Sequence, residues 1–128
     1  MRPGWLSGGL DRTGAIPDGS VRVLSFVGGM RIGGTHRYYS APRPFSVLDL
    51  HEAGVRIRLR GRVLVATGPT WEARYEEFVE VRSIGRVPLF STGVRFLVET
   101  GPNRRAVFRS FRPRRLRVAL ADRGVDVQ

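Results

Sequence analysis

Residues 93–124 read GVRFLVETGPNRRAVFRSFRPRRLRVALADRG, and the pattern changes period part-way through. Up to Phe111 the apolar positions alternate. Val94, Phe96 and Val98 stand against Arg95, Leu97 and Glu99; after the turn at Thr100–Asn103, Ala106, Phe108 and Ser110 stand against Val107, Arg109 and Phe111. Two period-two runs joined by a short Gly-Pro turn predict an antiparallel hairpin. Beyond it the apolar positions fall at Leu116, Ala119 and Leu120, the i, i+3, i+4 spacing of one helix face. Pro113 suits the first helical turn, and Gly124 follows the last as a C-cap. The chain therefore closes as strand, turn, strand, helix.

The same alternation extends upstream. Val21 and Val23 open a strand expected to end at Gly28-Gly29, and Pro42 and Pro44 suit a loop or strand edge. "FSVLDLHEAG" turns at Glu52–Gly54 into "GVRIRLRGRV", residues 54–63, which predicts a second hairpin. There Val55, Ile57, Leu59, Val63 and Val65 face inward, and Arg56, Arg58, Arg60 and Arg62 share the other face. A turn at Ala66–Pro69 leads into Trp71–Ile84, which fits both periods. The β-branched Val79 and Val81 decide for two strand pieces bent at Glu76-Glu77. Residues 1–19, punctuated by Gly, Pro, Asp and Ser, are expected to be a flexible tail with Trp5 and Leu6 as docking residues. Residues 20–128 then form one domain. The fold class is mainly β, a partly open antiparallel barrel of about seven short strands capped by a C-terminal α-helix.

That plan, with Phe108, Phe111, Arg112, Pro113, Leu116, Leu120 and Gly124 in order, resembles the pleckstrin-homology-like (PH-like) type found among small uncharacterised actinobacterial proteins. "FSVLDLHEAGVRIR" is similar to the hairpin of the same family. The resemblance covers roughly residues 45–127. It implies a PH-like fold and a class of role: such domains bind proteins, peptides or lipid head groups and rarely catalyse. No lipid-binding motif of the family maps onto this chain residue by residue, and fold alone does not give function.

Composition narrows the function classes. The chain has 128 residues, 41 % of them hydrophobic, with 16 Gly and 8 Pro, a globular and turn-rich balance. No apolar run is long enough to span a bilayer, and the N-terminus lacks the apolar core and cleavage site of a secretion signal. Zero cysteines exclude disulfides and thiolate metal sites and suit a cytoplasmic protein. His36 and His51 stand alone, so neither a metal nor a cofactor is expected, and His51 reads as an exposed turn residue. No Gly-x-Ser-x-Gly elbow occurs, and Gly28–Gly34 lacks the Lys-Ser/Thr ending of a phosphate loop. Glu72, Glu76, Glu77 and Glu80 read as sheet-surface charge pairing. The expectation is a protein that is not an enzyme.

The net charge is +11, and all 22 basic residues are arginine. Such a field attracts acidic proteins, nucleic acid or anionic membrane. A GC-rich genome yields the same lysine-free composition, so charge alone selects none of these. Two arginine groups remain to be weighed. In one register of residues 54–65 on 71–77, Arg62 faces Glu72, Arg58 faces Glu76 and Arg60 faces Arg74. That face is then mostly a charge-paired surface. The other group, Arg105, Arg109, Arg112, Arg114 and Arg115, leads into the helix with no carboxylate between Arg104 and Leu120. Guanidinium forks and free helix N–H groups converging there would hold an anion. The leading reading is a non-catalytic interaction module for an acidic protein or peptide. The alternatives are nucleic acid, with Tyr38, Tyr39 and Phe111 stacking, and peripheral attachment to anionic membrane lipid.

Overall fold

The hairpin and helix read from the closing stretch are both present. The computed structural model describes residues 14–33, 38–61, 70–85, 93–99 and 103–128. Seven strands form one antiparallel sheet: β1 (Arg22–Gly33), β2 (Tyr38–His51), β3 (Gly54–Leu59), β4 (Trp71–Arg74), β5 (Phe78–Ile84), β6 (Gly93–Val98) and β7 (Arg105–Ser110). Their order across the sheet is β4-β3-β2-β1-β7-β6-β5. The two outermost strands, β4 and β5, are consecutive in the chain and are joined by a single 3₁₀ turn, Tyr75–Glu77. The sheet therefore curls into a half-barrel whose ends meet through aromatic rings. Trp71 and Phe78 stack at 6.4 Å, and Phe96 lies 5.9 Å from Trp71 and 5.2 Å from Phe78. The bend at Glu76-Glu77 and the two strand pieces flanking it are as expected.

Helix α1 (Pro113–Asp122) packs on β6 and β7. Its buried stripe is Leu116, Ala119 and Leu120, Pro113 opens it, and Gly124 follows at φ +83°, a conformation that suits glycine. The chain beyond the helix adds a feature the sequence pattern does not announce. Val127 bridges Val81 in parallel, with Ser83 N–H donating to the Gln128 carbonyl and Gln128 N–H to the Val81 carbonyl, both at 2.8 Å. The outer edge of β5 is thereby covered in part.

Four expectations are corrected. First, β1 does not end at Gly28-Gly29 but continues to Gly33. A Cβ on Gly28 would lie 2.2 Å from the Arg109 carbonyl oxygen, so glycine here permits close approach of β7 and does not terminate the strand. Second, β3 ends at Leu59, and Gly61 adopts φ +98°. The register also differs from the expected one: Arg56 faces Glu72, and Gly54 faces Arg74. Third, His51 is buried, because the hairpin tip is packed. Glu52 N–H donates to the Val21 carbonyl, Ala53 N–H to Ser20 Oγ, and the Tyr75 hydroxyl to the His51 carbonyl at 2.6 Å. Fourth, of the expected tail, residues 14–19 are described, and part of this stretch docks on the sheet. Ile16 is buried, and Gly14 N–H donates to Glu72 Oε2 at 2.7 Å. Trp5, Leu6, His36, Arg62, Val63, Val65 and the Ala66–Pro69 turn lie outside the described residues.

Candidate anion-binding surfaces

The arginine face of β3 is built around two buried carboxylates. Asp49 on β2 is 2 % exposed at its side chain and Glu72 on β4 5 %. Arg58 Nε donates to Asp49 Oδ2 at 2.8 Å, and the Ser25 hydroxyl donates to Asp49 Oδ1. Arg56 Nε donates to Glu72 Oε1 at 2.7 Å while Gly14 N–H holds the other Glu72 oxygen. A buried carboxylate is costly unless paired and hydrogen-bonded, and both of these are. The strand with arginine at alternate positions is therefore largely structural. Arg60 lies just past the end of β3 and is exposed.

The five arginines grouped in the sequence do not converge on one point. Arg105 sits at the start of β7, opposite Leu97 and Gly33, a whole strand away from the helix. Arg109 lies near its end, opposite Gly29. Arg112 is the residue before the helix, its N–H donating to Ser110 Oγ at 2.9 Å and its carbonyl accepting from Leu116 N–H. Arg114 and Arg117 line the cleft between α1 and the β5–β6 edge, together with Ser83, Ile84 and Gly93. By helical spacing Arg115 lies on the opposite flank. Among the described residues, no carboxylate pairs with Arg105, Arg109, Arg112, Arg114, Arg115 or Arg117.

Arg109 instead joins two arginines that sequence reasoning passed over. A groove of about 510 Å³ is lined by Gly29, Arg31, Ser40, Pro42, Arg43 and Arg109, among others. It lies where β2 departs from regular pairing: Gly28 faces Ser46 and Met30 faces Ala41, so residues 42–45 bulge out opposite Gly29 alone. The bulge brings Arg43 across the strand, with its guanidinium 5.4 Å from the centre of the Phe111 ring. That ring is 58 % exposed. The only sequence signals were Arg31 set among glycines and Arg43 between prolines. Neither shows that β1 pairs with β7.

No family model matches the chain, and no curated protein matches it. Among solved structures it is similar to the hSac2 domain from human phosphoinositide phosphatase Sac2, with a TM-score of 0.52 over 88 % of this chain and 78 % of that one. Identity is 12 %, so the similarity concerns the fold. A curled antiparallel sheet with one C-terminal helix fits the PH-like plan.

Proposed function

We propose that this protein is a non-catalytic PH-like interaction module that binds an acidic protein or peptide through arginines of β7 and α1. The carrying observation is an asymmetry of pairing. Arg56 and Arg58 are spent on buried carboxylates, whereas Arg109, Arg112, Arg114 and Arg115 face no carboxylate among the described residues. Cations near a helix N-terminus oppose its dipole, each at a cost of a few tenths of a kcal/mol, so this arrangement is unfavourable until an anion arrives. Guanidinium keeps its proton at neutral pH and presents only donors, which suits holding an anion and not moving a proton. Attachment to an anionic membrane and binding of nucleic acid are the competing readings. No helix among the described residues is long and apolar enough to cross a membrane.

The test is the triple variant R112Q/R114Q/R115Q, titrated with a Glu-rich peptide, a short DNA and anionic vesicles at two salt concentrations. Binding of the peptide is expected to fall at least tenfold and to lose most of its salt dependence, as expected for lost surface charge. Unchanged peptide binding would overturn the reading. Preferential loss of DNA or vesicle binding would transfer the site to that partner.

A further inference from the structure

We propose that the N-terminal half of β1 is an open strand edge that takes an extended acidic peptide as an additional strand. This rests on the acidic-partner reading above and adds where and how the peptide is held. β1 pairs with β2 from Arg22 to Gly33, but its register with β7 runs only from Gly28 to Gly33. β7 ends at Ser110, Phe111 N–H donates to the Val27 carbonyl, and the chain then turns away into α1. Among the described residues, nothing pairs with residues 22–26 on that side. The Val27 carbonyl points away from β2, and backbone groups alternate along a strand. Ser25 therefore directs its N–H and carbonyl the same way, next to the Val27 N–H. Three backbone groups in a row are left without a strand beside them, in line with the end of β7.

The side chains agree with the backbone. Leu24 faces Leu50 and stands two residues from Phe26, which packs on the core, so it belongs to the core face. Yet Leu24 is 48 % exposed while Leu50 is buried. The core face thus runs on past the end of its cover, and an inward side chain from an added strand would lie over Leu24. The edge of β5, by contrast, is covered in part by Val127 and Gln128. Charge selects the occupant. Arg22 stands at one end of the open stretch and Arg112, next to Phe111, at the other; neither pairs with a carboxylate among the described residues. A second copy would bring together two chains of net charge +11, each with Arg22 on the pairing strand. An acidic strand meets the same edge with attraction. The irregularity between Arg22 and Leu24 confines the regular ladder to residues 24–27, so a short extended segment suffices.

The experiment uses a labelled peptide of alternating valine and glutamate, and two versions of it N-methylated on one or the other alternate set of amides. Methylation removes either the donors aimed at β1 or those aimed at solvent, and the protein itself is unaltered. Followed by fluorescence anisotropy, one methylated version should lose at least tenfold in affinity and the other should bind as the parent peptide does. Amide hydrogen exchange read by nuclear magnetic resonance locates the contact. The Ser25 and Val27 amides should exchange fast in the free protein and at least tenfold more slowly when the peptide is bound. Those of Phe26 and Gly28, which face β2, should be slow throughout. Val27→Pro removes one outward donor, keeps the ladder to β2, and should weaken binding about tenfold. Circular dichroism checks that this variant is folded, and the methylated peptides carry the test if it is not. Equal effects of the two methylations, or unchanged exchange at Ser25 and Val27 on binding, would overturn the strand-addition inference while peptide binding sensitive to R112Q/R114Q/R115Q left the broader reading standing. Slow exchange of Ser25 and Val27 in the free protein would overturn it as well. Protection that grows with protein concentration in the absence of peptide, together with a dimer in sedimentation, would assign the edge to a second copy and overturn the acidic occupant. No binding of any acidic peptide would overturn both readings.

Discussion

Two sets of arginines share one small sheet and have opposite environments. On β3, Arg56 and Arg58 reach carboxylates that are themselves almost wholly buried, so each guanidinium compensates a charge that could not otherwise be inside the protein. On β7 and α1, arginines of the same kind have no such partner among the described residues. The lesson is that the location of carboxylates, and not the density of arginine, distinguishes a structural cation from one available to a ligand. Removing the first should destabilise; removing the second should not.

The comparison predicts its own order of effects. The largest belongs to the helix that carries the unpaired arginines, because leucines hold it. Leu120→Ala should cost about 2–5 kcal/mol, as truncation of a fully buried leucine does. A chemical-denaturation midpoint unchanged from the parent would reject that packing. Next comes Arg58→Gln, which strands the buried Asp49 carboxylate with one hydroxyl donor. Arg58 is a quarter exposed, so the loss should be about 2–3 kcal/mol, below that for a fully buried pair. Arg115→Gln, in the same assay, should leave stability within a few tenths of a kcal/mol or raise it slightly. Equal losses for the two would erase the distinction between the two sets.

The smallest expected effect concerns Arg123, just past α1. Burial raises the Tyr75 phenol above its ordinary value, and the Arg123 charge pulls it back down. A raised value in the folded state means that stability is full below about pH 10 and declines as pH climbs through the folded value. Arg123→Gln should move the Tyr75 titration upward, read by ultraviolet difference absorbance against Tyr75→Phe. A shift in the opposite direction would show that Arg123 does not act on the phenol.

Much of the architecture was legible because it is written in local periodicity. The switch from alternate to helical spacing after Phe111 identified β6, β7 and α1. Val79 and Val81 resolved the ambiguous stretch from Trp71. What stayed hidden depends on pairings between distant residues. Asp49 reads as an ordinary alternating position until β2 and β3 are set in register, when it becomes the buried partner of Arg58. The groove arginines come from three strands whose adjacency rests on β1 meeting β7, and nothing in Gly28–Gly34 signals that neighbour. The grouping of Arg105 with Arg115 failed for a simpler reason. Closeness along an extended strand is not closeness in space, since each residue advances about 3.3 Å.

The strand order also bears on how the chain reaches its folded state. Contacts between nearby residues form before distant ones, because closing a longer loop costs more entropy. The aromatic seam that closes the half-barrel joins Trp71 to Phe78 across one tight turn, so it belongs among the early contacts. The pairing of β1 with β7, which brings Gly28 to Ser110, belongs among the late ones. The groove around Gly29 straddles that pairing, so it is assembled only near the end of folding. A nascent chain would expose Arg31 and Arg43 before Arg109 could join them.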